Sequence, residues 1–201
     1  MEIREHAILY ALLCKEIFLH MEKEEAEKQI REITVAYGMK RGRRMAGNST
    51  KKDINDFFIN GEWKGKEGEN ISVLSFEKDR TISIVSRCAW YDTWKNYDLL
   101  EYGTYYCRYI DQSICEGYDS DFDLKVSEAL GYGDEKCVFE WSEAANENVI
   151  KNTAKKHILP FDFHCRELYD CAYEMLPEDK RDEILKEVRS QLSSLCNGAS
   201  F

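Results

Sequence analysis

Two Cys-x-x-x-Asp pairs occur in the chain, Cys88-Ala-Trp-Tyr-Asp92 and Cys107-Arg-Tyr-Ile-Asp111. On a helix, residues i and i+4 share a face, so Cys107 and Asp111 are expected to point the same way. A thiol beside a carboxylate is the start of a nucleophile with an acid/base partner. A carboxylate alone raises the thiol pKa, so a thiolate there also needs a cation or an imidazole. The plainer alternative is a core-facing Cys107, with Asp111 satisfying a backbone group or an arginine. A second group, Asp162-Phe163-His164-Cys165, opens a helix, where backbone N–H groups can hold an anion. An imidazole titrates near neutral pH, which makes His164 a candidate general base. Tyr169, four residues after Cys165, shares its face. His6, His20 and His157 read as structural histidines.

The third group is Tyr37-Gly38-Met39-Lys40-Arg41-Gly42-Arg43-Arg44-Met45-Ala46. Its two glycines among four cations suit the close approach of an anion, and Arg41 or Arg44 could grip a carboxylate with two parallel hydrogen bonds. The alternative is a basic helix end facing its own dipole. Gly131-Tyr132-Gly133-Asp134 lacks the third glycine and the strand-to-helix setting of a dinucleotide loop, and reads as a hairpin turn. No Cys, His or Asp spacing supports a metal site, and no cofactor is expected.

The elements that must position these groups follow from periodicity. Glu5–His20 places Ala7, Ile8, Ala11, Leu12, Lys15 and Leu19 at helical spacing. A second helix covers Glu22–Tyr37; Gly38 is a candidate stop, although Met39–Ala46 remains helix-compatible before Gly47-Asn48-Ser49 breaks the pattern. A short helix over Asp53–Asn60 has Asp53 as N-cap. Ile71–Phe76 and Thr81–Cys88 flank a four-residue polar turn and predict a hairpin. A helix is predicted over Leu100–Gly117, with Gly117 as its stop. Asp123–Leu130 and Cys137–Trp141 predict a second hairpin, in which Cys137, Phe139 and Trp141 alternate against Val138 and Glu140. Asn146–His157 is a further helical candidate, and Phe161–Met175 and a final stretch from Pro177 to about Cys196 read as the two closing helices. The order ααα-ββ-α-ββ-αα predicts an α+β fold, an antiparallel sheet of about four strands covered by helices.

Composition bounds the function. The 201 residues carry 28 Lys+Arg against 38 Asp+Glu, a formal net charge of −10. That balance argues against nucleic acid as a partner. With 43% hydrophobic residues and only two prolines, a single domain over 1–201 is expected. No apolar run approaches the roughly 20 residues of a membrane helix, and the N-terminus lacks the form of a signal peptide. A cytoplasmic setting is therefore expected, with the eight cysteines as reduced thiols and no C-x-x-C pair among them.

Taken together and in order, six segments resemble one family. They are Tyr37-Gly-x-x-Arg41-Gly42-x-Arg44-Met45-Ala46; Gly61-Glu62-Trp63; Arg87-Cys88; Tyr106-Cys107-x-x-Ile110-Asp111; Gly131-x-Gly133-Asp134-x-x-Cys137-x-Phe139; and Phe161-Asp162-Phe163-His164-Cys165-x-x-Leu168-Tyr169. They resemble the L-2-amino-thiazoline-4-carboxylic acid hydrolase family from about His6 to Tyr169. The resemblance implies opening of a cyclic amidine, L-2-amino-thiazoline-4-carboxylate, to N-carbamoyl-L-cysteine, on a route to cysteine. In those parts Cys107 is cast as nucleophile or pocket wall, and Asp111 and His164 as proton carriers. Arg41 or Arg44 would hold the substrate carboxylate, and Asp111 could equally pair with the amidinium. Cys88, Cys137 and Tyr169, inside matching segments, are expected to contact substrate.

The enzyme reading expects Cys107, Asp111 and His164 to converge on one cavity. The alternative is a non-catalytic small-molecule-binding or sensing domain, since Cys137-x-Phe139 is also similar to V4R-type domains. It expects an apolar pocket with those groups apart. A third reading is an interaction module recognised through the acidic last helix. The expected partner is a small molecule with a carboxylate, and an oligomer is compatible with the sequence.

Overall fold

The computed structural model describes residues 1–196. The helices are α1 (Ile3–His20), α2 (Lys23–Asn48), α3 (Ile54–Ile59), α4 (Ala89–Asn96), α5 (Leu100–Gly103), α6 (Tyr105–Tyr118), α7 (Glu147–Asn152), α8 (Phe161–Met175) and α9 (Glu178–Leu195). The strands are β1 (Ile71–Phe76), β2 (Thr81–Arg87), β3 (Leu124–Glu128) and β4 (Cys137–Trp141). The fold is α+β, with the predicted order of helices and hairpins. The residues group into two compact units. One comprises Met1–Tyr37, Ala89–Tyr109 and, among the described residues, 160–196; the other comprises Gly38–Cys88 and Ile110–Leu159.

The first unit is helical. Its centre is α1, against which α4, α5, α8 and α9 pack. The run Ala7 to Cys14 is buried at every position, because the sequence is apolar around the whole helix and not along one stripe. Leu19, predicted on the apolar face, is 65% exposed near the helix end. The acidic last helix turns Ile184, Leu185, Val188 and Leu192 inward. Trp94, fully buried, donates its indole N–H to the Ala7 carbonyl at 2.9 Å. A Cβ at Gly103 would lie 2.2 Å from that indole, so glycine is required there. This contact accompanies the break of the predicted Leu100–Gly117 helix into α5 and α6.

The second unit carries the sheet, antiparallel throughout in the order β1-β2-β4-β3. Both predicted hairpins form, and they join through β2 and β4. Ser83 pairs with Phe139, Thr81 with Trp141 and Val85 with Cys137, so these side chains share one face. Strand β3 stops at Glu128, short of the predicted Leu130. There a 3₁₀ turn over Leu130–Tyr132 begins, closed by Gly133 at φ 93°, a conformation that favours glycine. Likewise α7 ends at Asn152, before the predicted His157, with Thr153 in extended backbone.

Gly38 and Gly117, read as helix stops, both lie inside helices. A Cβ at Gly38 would sit 2.6 Å from the Ser113 Cβ, one at Gly42 2.1 Å from the Ile114 carbonyl oxygen, and one at Gly117 2.5 Å from the Met39 carbonyl oxygen. Their small size lets the second half of α2 and the body of α6 touch backbone to backbone. The glycines of the basic segment thus serve helix packing, not an anion. That packing sets Arg41 and Asp111 on adjoining helices.

Candidate active site

A cavity of about 210 Å³ lies within the second unit, over the inner face of the sheet. Ser83 and Val85 of β2, Phe139 and Trp141 of β4 and Leu124 of β3 form one wall. Met45 of α2, Phe57 and Phe58 of α3 and Ile114 and Cys115 of α6 add to the apolar surface. Phe58 meets Trp141 edge to face at 5.1 Å between ring centres, and Phe57 lies 6.1 Å from the same ring. Into this aromatic box come four charged side chains: Arg41, Glu62, Asp111 and Lys155. The volume is compatible with a small ring.

Glu62 organises the basic segment. It is 1% exposed and accepts from Arg41 Nε at 3.2 Å and from Arg44 Nη2 at 3.0 Å, with a further bond from Arg44 Nε. A buried carboxylate with two guanidiniums leaves a net positive group, which favours an anion nearby. Asp111 faces the same space. Burial raises its pKa from the ordinary 3.8 to about 6, against the pull of Arg41 in the other direction. A carboxyl tuned to that range exchanges a proton readily at neutral pH.

Lys155 reaches the cavity from the segment after α7. Its ammonium donates to the Trp63 carbonyl at 3.1 Å and stands 5.6 Å from the Trp63 ring centre. Desolvation of the ammonium lowers its pKa, and repulsion from Arg41 and Lys64 adds to the effect.

The sequence-derived residues divide between the two units. Arg41, Arg44, Cys88, Asp111 and Cys137 belong to the second, and Arg41 and Asp111 line the cavity. Cys137 lies on the inner face of β4 and its sulfur accepts the Leu130 N–H at 3.3 Å. Burial pushes this thiol up to about 11, and the neighbouring Cys88 and Asp111 add to the rise. The thiol in the cavity wall is Cys115, which burial holds at about 12, so it stands neutral.

Cys107, His164 and Tyr169 belong to the first unit and are not among the lining residues of this cavity. Cys107 is half-buried, one turn before Asp111 on α6. His164 is 2% exposed and ends a buried chain of polar contacts. Trp90 Nε1–H donates to His6 Nδ1 at 3.1 Å, which leaves Nε2 of His6 to donate to the Tyr37 hydroxyl, also at 3.1 Å. That hydroxyl stands 3.5 Å from His164 Nδ1. The neighbours of His164 in sequence diverge around the helix. Asp162 is exposed and accepts from the Met1 amine at 2.8 Å, while Cys165 is fully buried, with its thiol at about 12. Tyr169 is half-buried, with the Arg189 guanidinium 5.8 Å from its ring centre.

Sequence reasoning gave no role to Glu62, Lys155 or the aromatic walls. Glu62 was visible as the acid of Gly61-Glu62-Trp63, but its partners lie 18 and 21 residues away along the chain. Nothing local marks Lys155 among the other lysines.

Fold and cavity together define an α+β protein with a charged, aromatic pocket. Residues 1–141 match the model of the L-2-amino-thiazoline-4-carboxylic acid hydrolase family, and the chain belongs to that family. No curated protein and no solved structure matches it. Among the described residues, no helix is long and apolar enough to cross a membrane.

Proposed function

We propose that this hydrolase-family chain opens a small cyclic amidine bearing a carboxylate, with L-2-amino-thiazoline-4-carboxylate as its substrate and N-carbamoyl-L-cysteine as product. The observation that carries the reading is the pairing of Asp111 and Arg41 in the wall of one aromatic cavity. Water adds its oxygen to the carbon between the ring nitrogen and sulfur. The carbon–sulfur bond then breaks, with its electron pair going to sulfur. Of the two water protons, one ends on the ring nitrogen and the other on the thiol. The water oxygen becomes the urea carbonyl, and nothing is oxidised or reduced.

Asp111 suits the proton traffic. In its ionised form it takes a proton from the attacking water, and as a neutral acid it returns one to the departing sulfur. A pKa of about 6 allows both steps near neutrality. Arg41 attracts the substrate carboxylate, while Arg44 and Glu62 hold Arg41 in place. The flat ring lies between the aromatic walls. The neutral thiol of Cys115 favours water over a cavity cysteine as the attacking group.

A nucleophilic Cys107 and a proton-carrying His164 are separate proposals, tested through Cys107→Ser and Tyr37→Phe. A binding or sensing role is favoured by one observation: neither residue lines this cavity. Incubation with L-2-amino-thiazoline-4-carboxylate, with thiol release and N-carbamoyl-cysteine followed together, separates the readings. The enzyme reading expects one free thiol for each N-carbamoyl group formed, since the single product carries both, and loss of both signals in Asp111→Asn. Tight binding by folded protein without turnover would establish the sensing role instead.

A further inference from the structure

Arg41 and Arg44 both commit guanidinium N–H groups to Glu62, so the cation best able to meet an incoming anion lies elsewhere. Lys155 lines the same cavity from an exposed segment. Its ammonium has one hydrogen-bond acceptor, the neutral Trp63 carbonyl, and among the described residues no carboxylate lies within ion-pair distance. The segment that carries it is tied down beside Glu62, where Leu159 N–H donates to the Glu62 carbonyl at 2.8 Å. Gly61 leaves the space the ammonium occupies, since a Cβ there would lie 3.0 Å from Nζ. The chain therefore holds a cation at the rim of the aromatic box, facing Arg41 and lacking its own anion. A cation so placed, next to another, is favoured by a bound anion bridging both.

We propose that Lys155 is the specificity-determining residue of the cavity, forming with Arg41 a two-cation clamp for the carboxylate of a planar heterocyclic acid. The proposal deepens the substrate reading above and rests on the same cavity. It names the residue that distinguishes an acid from a neutral ring of the same shape. Ammonium-to-carboxylate hydrogen bonds are stronger than those to neutral acceptors, so the preference for the acid should be about tenfold or more.

Binding of thiazole-4-carboxylate and thiazole-4-carboxamide is measured by calorimetry on the full chain, its Lys155→Met variant and its Lys155→Arg variant. Turnover of L-2-amino-thiazoline-4-carboxylate is followed in parallel. The expected result is tighter binding of the acid by wild type, loss of that preference in Lys155→Met, and recovery of most of it in Lys155→Arg. Where the substrate turns over, KM rises about tenfold in Lys155→Met while kcat stays within a few-fold. A wild type with no preference for the acid, or a Lys155→Met variant that keeps it, overturns the proposal. A preference that depends on Lys155 without any turnover upholds the clamp and removes the hydrolase reading.

Discussion

The two compact units handle buried polar groups in opposite ways. In the helical unit, Trp90, His6, Tyr37 and His164 hand hydrogen bonds from one to the next inside an aromatic shell. In the sheet-bearing unit, Glu62 ties two arginines and leaves a net positive charge beside Asp111 and Lys155, facing open space. A neutral polar chain whose members bond to one another gives rigidity, whereas a charged group left unbalanced favours a ligand. The proposed reaction accordingly uses the second unit, although the more suggestive sequence cluster, Asp162 to Cys165, lies in the first.

The largest effect is expected from Glu62→Ala. Removing this carboxylate leaves two neighbouring guanidiniums without their partner, which costs about 3–5 kcal/mol. Urea unfolding should show it as a lower midpoint at constant slope. A loss below about 1 kcal/mol would mean that the arginines find water or other partners easily, and the contrast between units would weaken.

Asp111→Asn should lower kcat by about 10²–10⁴ while leaving the fold intact, as read by steady-state kinetics and circular dichroism. Its stability carries a second signature. The folded chain binds the Asp111 proton more tightly than the unfolded chain, about 6 against 3.8. This contribution is therefore fully present below pH 4 and falls away as pH rises through about 6. Asp111→Asn should flatten that part of the stability–pH profile, and an unchanged profile would place the carboxyl in water.

Gly42→Ala should destabilise by about 1–3 kcal/mol, since the added methyl meets a backbone carbonyl that cannot rotate away. Because the same contact positions Arg41 and Asp111, activity should fall with stability. Retention of full activity would show that the cavity tolerates movement of α2 against α6.

Tyr37→Phe removes the middle of the polar chain in the helical unit and should cost about 1–2 kcal/mol, with KM and kcat unchanged. A drop in kcat without loss of stability would instead bring His164 into the reaction. The smallest effect is expected for Cys107→Ser, which should keep turnover within a few-fold. A loss of about a thousandfold with the fold intact would make Cys107 the nucleophile and replace the water route.

Much of the scaffold was legible in the residues. The hairpin over Ile71–Phe76 and Thr81–Arg87 and helix α8 over Phe161–Met175 appear nearly where periodicity puts them, because alternation and capping are local signals. Asp53 caps α3 by accepting the Asp56 N–H at 2.9 Å. Gly38, Gly42 and Gly117 were visible, but their use was not. A glycine tolerates a turn and a close helix contact alike, and only the partner helix distinguishes the two. Asp111 stood out by its pairing with Cys107, yet its link to Arg41 joins residues 70 positions apart in the chain.

By itself the sequence determined the element types, the pairing of the hairpins, the inner face of β4 and the chemical inventory of thiols, carboxylates and cations. These depend on period and on neighbours a few residues away. Tertiary structure alone decided which of those groups meet. It sent Asp162, His164 and Cys165 in three directions, gave both arginines to Glu62, and left Asp111 and Lys155 facing an aromatic cavity. The physical reason is that burial and charge pairing depend on distance in space, and helix packing sets that distance across long stretches of chain.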